Sequence, residues 1–266
     1  MSAPEQKAQL SAAEAIARLE ADAQILQATI EALHLRLSRE AARHNEELRQ
    51  FSYAVSHDLR EPLRMIASYS QLLDRRYAGK LDDDGREFIS FIVDAVHRME
   101  QLLGDLLTFS HQFRPLEAPP DLIDPEVVLQ GVLLTMEKEI QQSGAKVTFD
   151  SLPKINFDFG RLTLLLRQLI GNAIKFRGVD APQILITARQ TDQETVFSIS
   201  DNGLGIDPRY HEQIFGIFRR LHGREKTGTG MGLAIVARAL QRMGGTCGLE
   251  SELRRGSRFW IELPAA

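Results

Sequence analysis

At 266 residues, 43% hydrophobic and 26% charged, the chain has room for roughly two ordinary soluble domains with real cores. A net charge of -4 gives no basis for nucleic acid or an anionic membrane as a partner. The single cysteine, Cys247, excludes an internal disulfide, and no apolar run nears the roughly 20 residues of a membrane span or forms a signal-peptide core, so a cytoplasmic protein is expected.

Between Pro4 and Pro62 there is no proline, and Ala, Glu, Gln, Leu and Arg dominate. Ile16, Leu19, Ala23, Leu26, Ile30, Leu33 and Leu37 alternate steps of three and four. That is an a/d seam, which predicts a coiled coil over residues 1–47. From Leu33 the next steps, to Leu37 and then Ala41, are both four residues, a stutter that locally unwinds a supercoil. Two readings follow: one helix-packing mode handing over to another, or a joint relaying rotation toward the helix beyond.

The helix is expected to continue, kinked, through Pro62 and to end near Tyr77-Ala78-Gly79. It carries Ser56-His57-Asp58-Leu59-Arg60-Glu61-Pro62, an imidazole with a carboxylate beside it. Asp82, Asp83 or Asp84 can cap a second helix. That helix places Phe88, Ile92, Ala95, Met99, Leu102, Leu106, Phe109 and Phe113 on one stripe. Residues 48–113 therefore read as an antiparallel hairpin whose apolar faces need a second copy. A dimeric four-helix bundle, hence a homodimer, is implied.

Residues 114–120 hold Pro115, Pro119 and Pro120 and read as a linker. Residues 121–266 then mix periods. Helices are expected over Asp124–Ser143, Asp158–Phe176 and Met231–Met243. Strands are expected over Val147–Asp150, Ile184–Arg189, Thr195–Ser200, Thr246–Ser251 and Arg258–Leu263. This is an α+β sandwich, one mixed sheet with helices on one face.

Three segments of this half suit a nucleotide. Asn172 and Lys175 share a helix face, where an amide oxygen can ligate Mg²⁺ and an ammonium can meet phosphate. Asp201 follows a strand and can accept the exocyclic amine of adenine, with Gly203, Gly205 and Ile206 in the turn behind it. Gly228, Gly230 and Gly232, with Thr229, Met231 and Leu233, open a helix whose free amides attract phosphate. Each signal is weak alone, since surface Asn–Lys pairs, Asp-Gly turns and Gly-x-Gly runs are common. Between the last two segments, about Leu204 to Thr227, lies a charged stretch suited to a lid. Phe215 and Phe218 would pin it, and Arg220 would reach a phosphate.

Taken in order, these segments resemble the histidine kinases of two-component signalling, whose nucleotide domain shares the GHKL (Bergerat) fold of gyrase, Hsp90 and MutL. The resemblance runs from about Arg49 to Pro264. The wording around His57 and Leu221-His222-Gly223 is similar to the phytochrome-type subgroup. The resemblance implies that His57 is phosphorylated, Asn172 binds Mg²⁺, Lys175 contacts phosphate and Asp201 contacts adenine. It implies ATP and Mg²⁺ as cofactors and a response-regulator receiver domain, phosphorylated on aspartate, as partner. No sensory domain is evident, so the coiled coil is expected to end a sensor module trimmed away or to bind a separate one.

Two departures from the family pattern carry consequences. Gln168 stands where relatives carry a second asparagine and the ATP-hydrolysing members a glutamate base, which favours phosphoryl transfer over hydrolysis. Glu61 stands where kinases with strong phosphatase activity carry threonine or asparagine, which implies a poor phosphatase. By the family, Asp58 polarises His57; helix geometry makes Glu61, four residues on, a second candidate. His34, His44, His97, His111, His211 and His222 read as ordinary exposed histidines. A nucleotide-binding scaffold without transfer and a gyrase-type ATPase are the competing functions.

Overall fold

The computed structural model describes residues 3–112, 121–221 and 228–264, with side chains from residue 26 onward. It divides into two compact units, Met1–Leu48 and Arg49–Ala266. Helix α1 (Ala3–Tyr77) makes up the described residues of the first unit and continues into the second. In the first unit Leu26, Ile30, Leu33 and Leu37 are all at least 45% exposed, so among the described residues the chain gives this part of the seam no cover.

In the second unit α1 continues through Pro62 and ends at Tyr77, whose carbonyl accepts from Lys80 and Leu81. Of the three candidate caps, Asp82 starts α2 (Asp83–His111), its carboxylate accepting from the Gly85 amide at 2.8 Å. The hairpin core is thin. Leu63, Val96 and Leu103 are its only buried apolar cluster among the described residues. Ser52, Ser56, Ser70 and Ser110 are also buried. Most large apolar side chains, including Phe51, Met65, Ile66, Phe88, Phe91 and Ile92, remain exposed.

The mixed half begins with β1 (Asp121–Ile123), α3 (Pro125–Thr135) and α4 (Glu137–Ser143). The single helix expected over Asp124–Ser143 is thus two, broken at Met136, whose backbone (φ -102°, ψ 10°) leaves the helical range while its side chain is buried in the core. Next come β2 (Lys146–Phe149), β3 (Ile155–Phe157) and α5 (Phe159–Lys175). Strands β4 (Gln183–Gln190) and β5 (Glu194–Asp201) form a hairpin. Two short 3₁₀ turns, Pro208–Tyr210 and Gln213–Phe215, precede α6 (Gly232–Gln241). Strands β6 (Thr246–Glu252) and β7 (Gly256–Pro264) complete the half.

The main sheet runs β2-β4-β5-β7-β6, with β2 parallel to β4 and every other pair antiparallel. Strands β1 and β3 pair separately. Alternation decides which sheet face is covered: Ile184, Ile186, Phe197, Ile199 and Ile261 are buried, while Leu185 between two of them is 43% exposed. The buried set packs with Leu162, Leu165, Leu166 and Leu169 of α5 and with Val236, Ala239 and Leu240 of α6 in one core. Helices α5 and α6 therefore lie on that face, and their near ends frame a cavity.

Candidate functional site

The cavity has a volume of about 960 Å³, enough for a nucleotide, and draws its lining from α2, α5, the end of β5 and the segment leading into α6. Helix α5 is oriented by burial. Asp158 caps it through the Arg161 amide at 2.7 Å, and Leu162, Leu165, Leu166, Leu169, Ile170 and Ala173 fill the core. That rotation turns Gln168, Asn172 and Lys175 toward the cavity. Lys175 Nζ lies 4.7 Å over the Phe176 ring. Gly228 has φ +141°, a backbone conformation that favours glycine, and a Cβ there would also push the flexible Lys175 ammonium aside.

Asp201 ends β5 with its carboxylate in the cavity lining. Oδ1 accepts from the Gly203 amide at 2.8 Å and the Ser257 amide at 3.3 Å, leaving Oδ2 for a ligand. Burial raises its pKa above the usual carboxylate range, and the two amides only partly oppose that. Gly205, at φ +66°, passes so close to the Glu252 carbonyl that a Cβ would sit 1.9 Å from its oxygen. Gly205 and Ile206 line the cavity; Gly203 does not, its amide being spent on Asp201. Asn202 is structural, bonding the Ala181 carbonyl and the Gln183 amide.

In the segment entering α6, Gly228, Thr229, Gly230, Gly232 and Leu233 line the cavity, and Met231 is buried beneath them. Arg220 also lines the cavity, following Phe218 and Arg219, whose backbone lies against Gly230. The expected lid, from about Leu204, includes Asp207, whose carboxyl is lowered to about 2 mainly by the Arg209 guanidinium bonded to it. Ile214 and Phe215 pack against the core, whereas Phe218 is 53% exposed with φ +58°, so Phe218 does not pin the segment. The rest of that lid, residues 222–227, lies outside the described residues, as does the linker at 114–120.

His57 stands on the exposed face of α1. Its Nδ1 lies 3.1 Å from Asp58 Oδ1, and its ring stacks at 6.5 Å on Tyr53. Glu61 makes no hydrogen bond to it. None of His57, Asp58 and Glu61 lines the cavity. Periodicity did not reveal the face of α2 that does: Gln101, Gly104, Asp105 and Thr108, with Thr229 donating a hydrogen bond to Asp105. Arg167 and Arg219 also line the cavity without any motif to mark them.

A helix-backed mixed sheet with a nucleotide-sized cavity, joined to a helical hairpin bearing an exposed histidine, is the architecture of a GHKL-type domain behind a histidine hairpin. Residues 47–112 match the His Kinase A (phospho-acceptor) domain, and residues 157–266 match the histidine kinase-, DNA gyrase B- and HSP90-like ATPase domain. The chain belongs to the sensor histidine kinases, in their phytochrome-type branch.

It is 42% identical to cyanobacterial phytochrome A of Nostoc sp. and 39% identical to the phytochrome-like protein Cph1 of Synechocystis sp., each over 86% of this chain and 30% of the relative. It is 35% identical to the methanogenesis regulatory histidine kinase FilI of Methanothrix harundinacea, over 83% of this chain and 25% of the relative. The chain thus spans less than a third of these curated relatives. Full-length ShkA, solved in complex with AMPPNP, superposes with a TM-score of 0.62 at 31% identity, over 82% of this chain and 46% of that one. Among the described residues, no helix is long and apolar enough to cross a membrane.

Proposed function

We propose that the chain is an ATP-dependent protein-histidine kinase that phosphorylates His57 and passes the phosphoryl group to an aspartate of a receiver domain. It works in the cytoplasm as a homodimer driven through α1 by a sensor module. The division of labour is a signalling helix over residues 1–47, a phosphotransfer hairpin over 48–113, a linker over 114–120 and a catalytic domain over 121–266. The single observation carrying this reading is the pairing of an Asp58-oriented imidazole with a cavity lined by Asn172, Lys175, Asp201 and the glycine segment.

Asp201 Oδ2 would accept the adenine amine, a contact that guanine cannot return. Lys175 and the amides around Gly230 would meet the phosphates. Among the described residues, no group of three or more His, Cys, Asp or Glu side chains converges to hold a metal alone. One amide oxygen, from Asn172, fits an ion that keeps its waters and arrives on the polyphosphate. When bound, Mg²⁺ supplies charge neutralisation.

Transfer asks for positioning more than covalent assistance. With Nδ1–H donating to Asp58, the Nε2 lone pair of His57 is the free nucleophile, and the carboxylate steadies the charge that develops on the ring. The bond from Nε2 to the γ-phosphorus forms as the bond to the β-phosphate oxygen breaks, and ADP leaves. Because His57 does not line the cavity, the nucleotide domain must leave its seat on α2 before transfer. Gln168 cannot take a proton from water, which favours transfer over hydrolysis.

The test is incubation with γ-labelled ATP and Mg²⁺. Acid-labile, alkali-stable label is expected on the wild type and none on His57→Gln. Equal labelling of both proteins would overturn the proposal.

A further inference from the structure

Helix α2 turns one face, Gln101, Gly104, Asp105 and Thr108, toward the cavity at the three- and four-residue spacing of neighbouring turns. Asp105 is the member of that face that bonds the glycine segment. The Thr229 hydroxyl donates to Asp105 Oδ2 and itself accepts from the Met231 amide at 3.3 Å. Met231 is the N-cap position of α6, and Thr229 is only 8% exposed. The hydroxyl thus relays the positive end of α6 to a carboxylate in a half-sealed site, where each bond in the chain polarises the next. A carboxylate so held lies in the electrostatic place that the reading above gives to phosphate.

Resting on that reading of the cavity as an ATP site, we infer that Asp105 is an intramolecular latch. Its carboxylate holds the glycine segment, and with it the nucleotide domain, against α2, and it opposes entry of a polyphosphate. The two anions repel across a part-buried site, so phosphate binding and release of Thr229 from Asp105 are coupled. The coupling has a use. His57 lies outside the cavity, so the domain has to be freed from α2 for transfer, and the latch makes the loaded state the free one.

The inference is tested by calorimetric titration of the full chain with ATP, ADP and adenosine. Asp105→Asn keeps the shape and removes the charge; Asp105→Ala removes the bond as well. Both variants are expected to bind ATP and ADP about fivefold tighter or more, the lower end of ordinary coupling between two sites. Adenosine should bind them as it binds the wild type, since it does not reach the glycine segment. Asp94→Asn, on an exposed part of α2 away from the cavity, should leave all three affinities unchanged.

Unchanged or weaker ATP binding by both Asp105 variants overturns the latch. So does an equal gain for adenosine, which would mean general opening of the cavity rather than relief of charge. If ATP binds neither the wild type nor the variants, the nucleotide reading itself fails, a result distinct from wild-type binding that the Asp105 variants leave unaltered.

Discussion

At His57 the decisive fact is that the nearest carboxylate belongs to Asp58, at 3.1 Å from Nδ1, and not to Glu61 a turn away. Asp58→Asn should therefore lose most autophosphorylation, by roughly the 100- to 10,000-fold that a positioned acid–base group supplies. Glu61→Gln should keep most of it; initial labelling rates with the opposite ranking would reverse the two roles. Asp201 makes a second prediction. Its folded-state pKa is raised, so its ionised form costs stability above that raised value, and the cost is relieved as pH falls through it. Asp201→Asn should thus melt at the same or a higher temperature at neutral pH. It should still bind ATP about tenfold or more weakly, the usual worth of a hydrogen bond to a charged group. A large drop in melting temperature would mark Asp201 as a structural residue instead. In the wild type, acidification through the raised range should weaken nucleotide binding. The motif residues were readable because glycine, asparagine and aspartate announce unusual backbone or polar duty. Asp105 carried no such mark, because its role exists only once α2 and the glycine segment meet.

Among the elements, α5 does most to build the cavity, because its buried face fixes the rotation that brings Asn172 and Lys175 to one wall. Leu166 is 1% exposed, and Leu166→Ala should lower unfolding free energy by about 2–5 kcal/mol. Urea denaturation checks this, and a loss below about 0.5 kcal/mol, the scale of a surface change, would contradict the central place given to the helix. The long helices and the longer strands follow from period alone, 3.6 for α2 and α5 and 2 for β4. Two features did not. Strands β1 and β3 are three residues each, too short to alternate visibly. The break at Met136 lies in Thr135-Met136-Glu137, which holds no proline or glycine; the backbone turns there while the Met136 side chain is buried in the core.

For the whole molecule, the hairpin has an apolar cluster of three buried residues, whereas an exposed face includes Ile66, Phe91 and Ile92. A second copy would cover that face and complete a four-helix bundle. Sedimentation should show a dimer that Ile92→Glu dissociates; a monomeric wild type would remove the basis for the bundle. The sequence order of histidine hairpin, asparagine helix and glycine segment made the two-part plan legible, but it gave no hint that the cavity borrows a wall from α2. The central claim is that a phosphoryl group from nucleotide in that cavity reaches the one imidazole nitrogen that Asp58 leaves open. The most direct measurement is nuclear magnetic resonance of the protein after reaction with ATP and Mg²⁺, which assigns the modified atom. Phosphorus bonded to Nε2 of His57 is the predicted result; phosphorus on Nδ1, on another histidine, or nowhere would contradict the account.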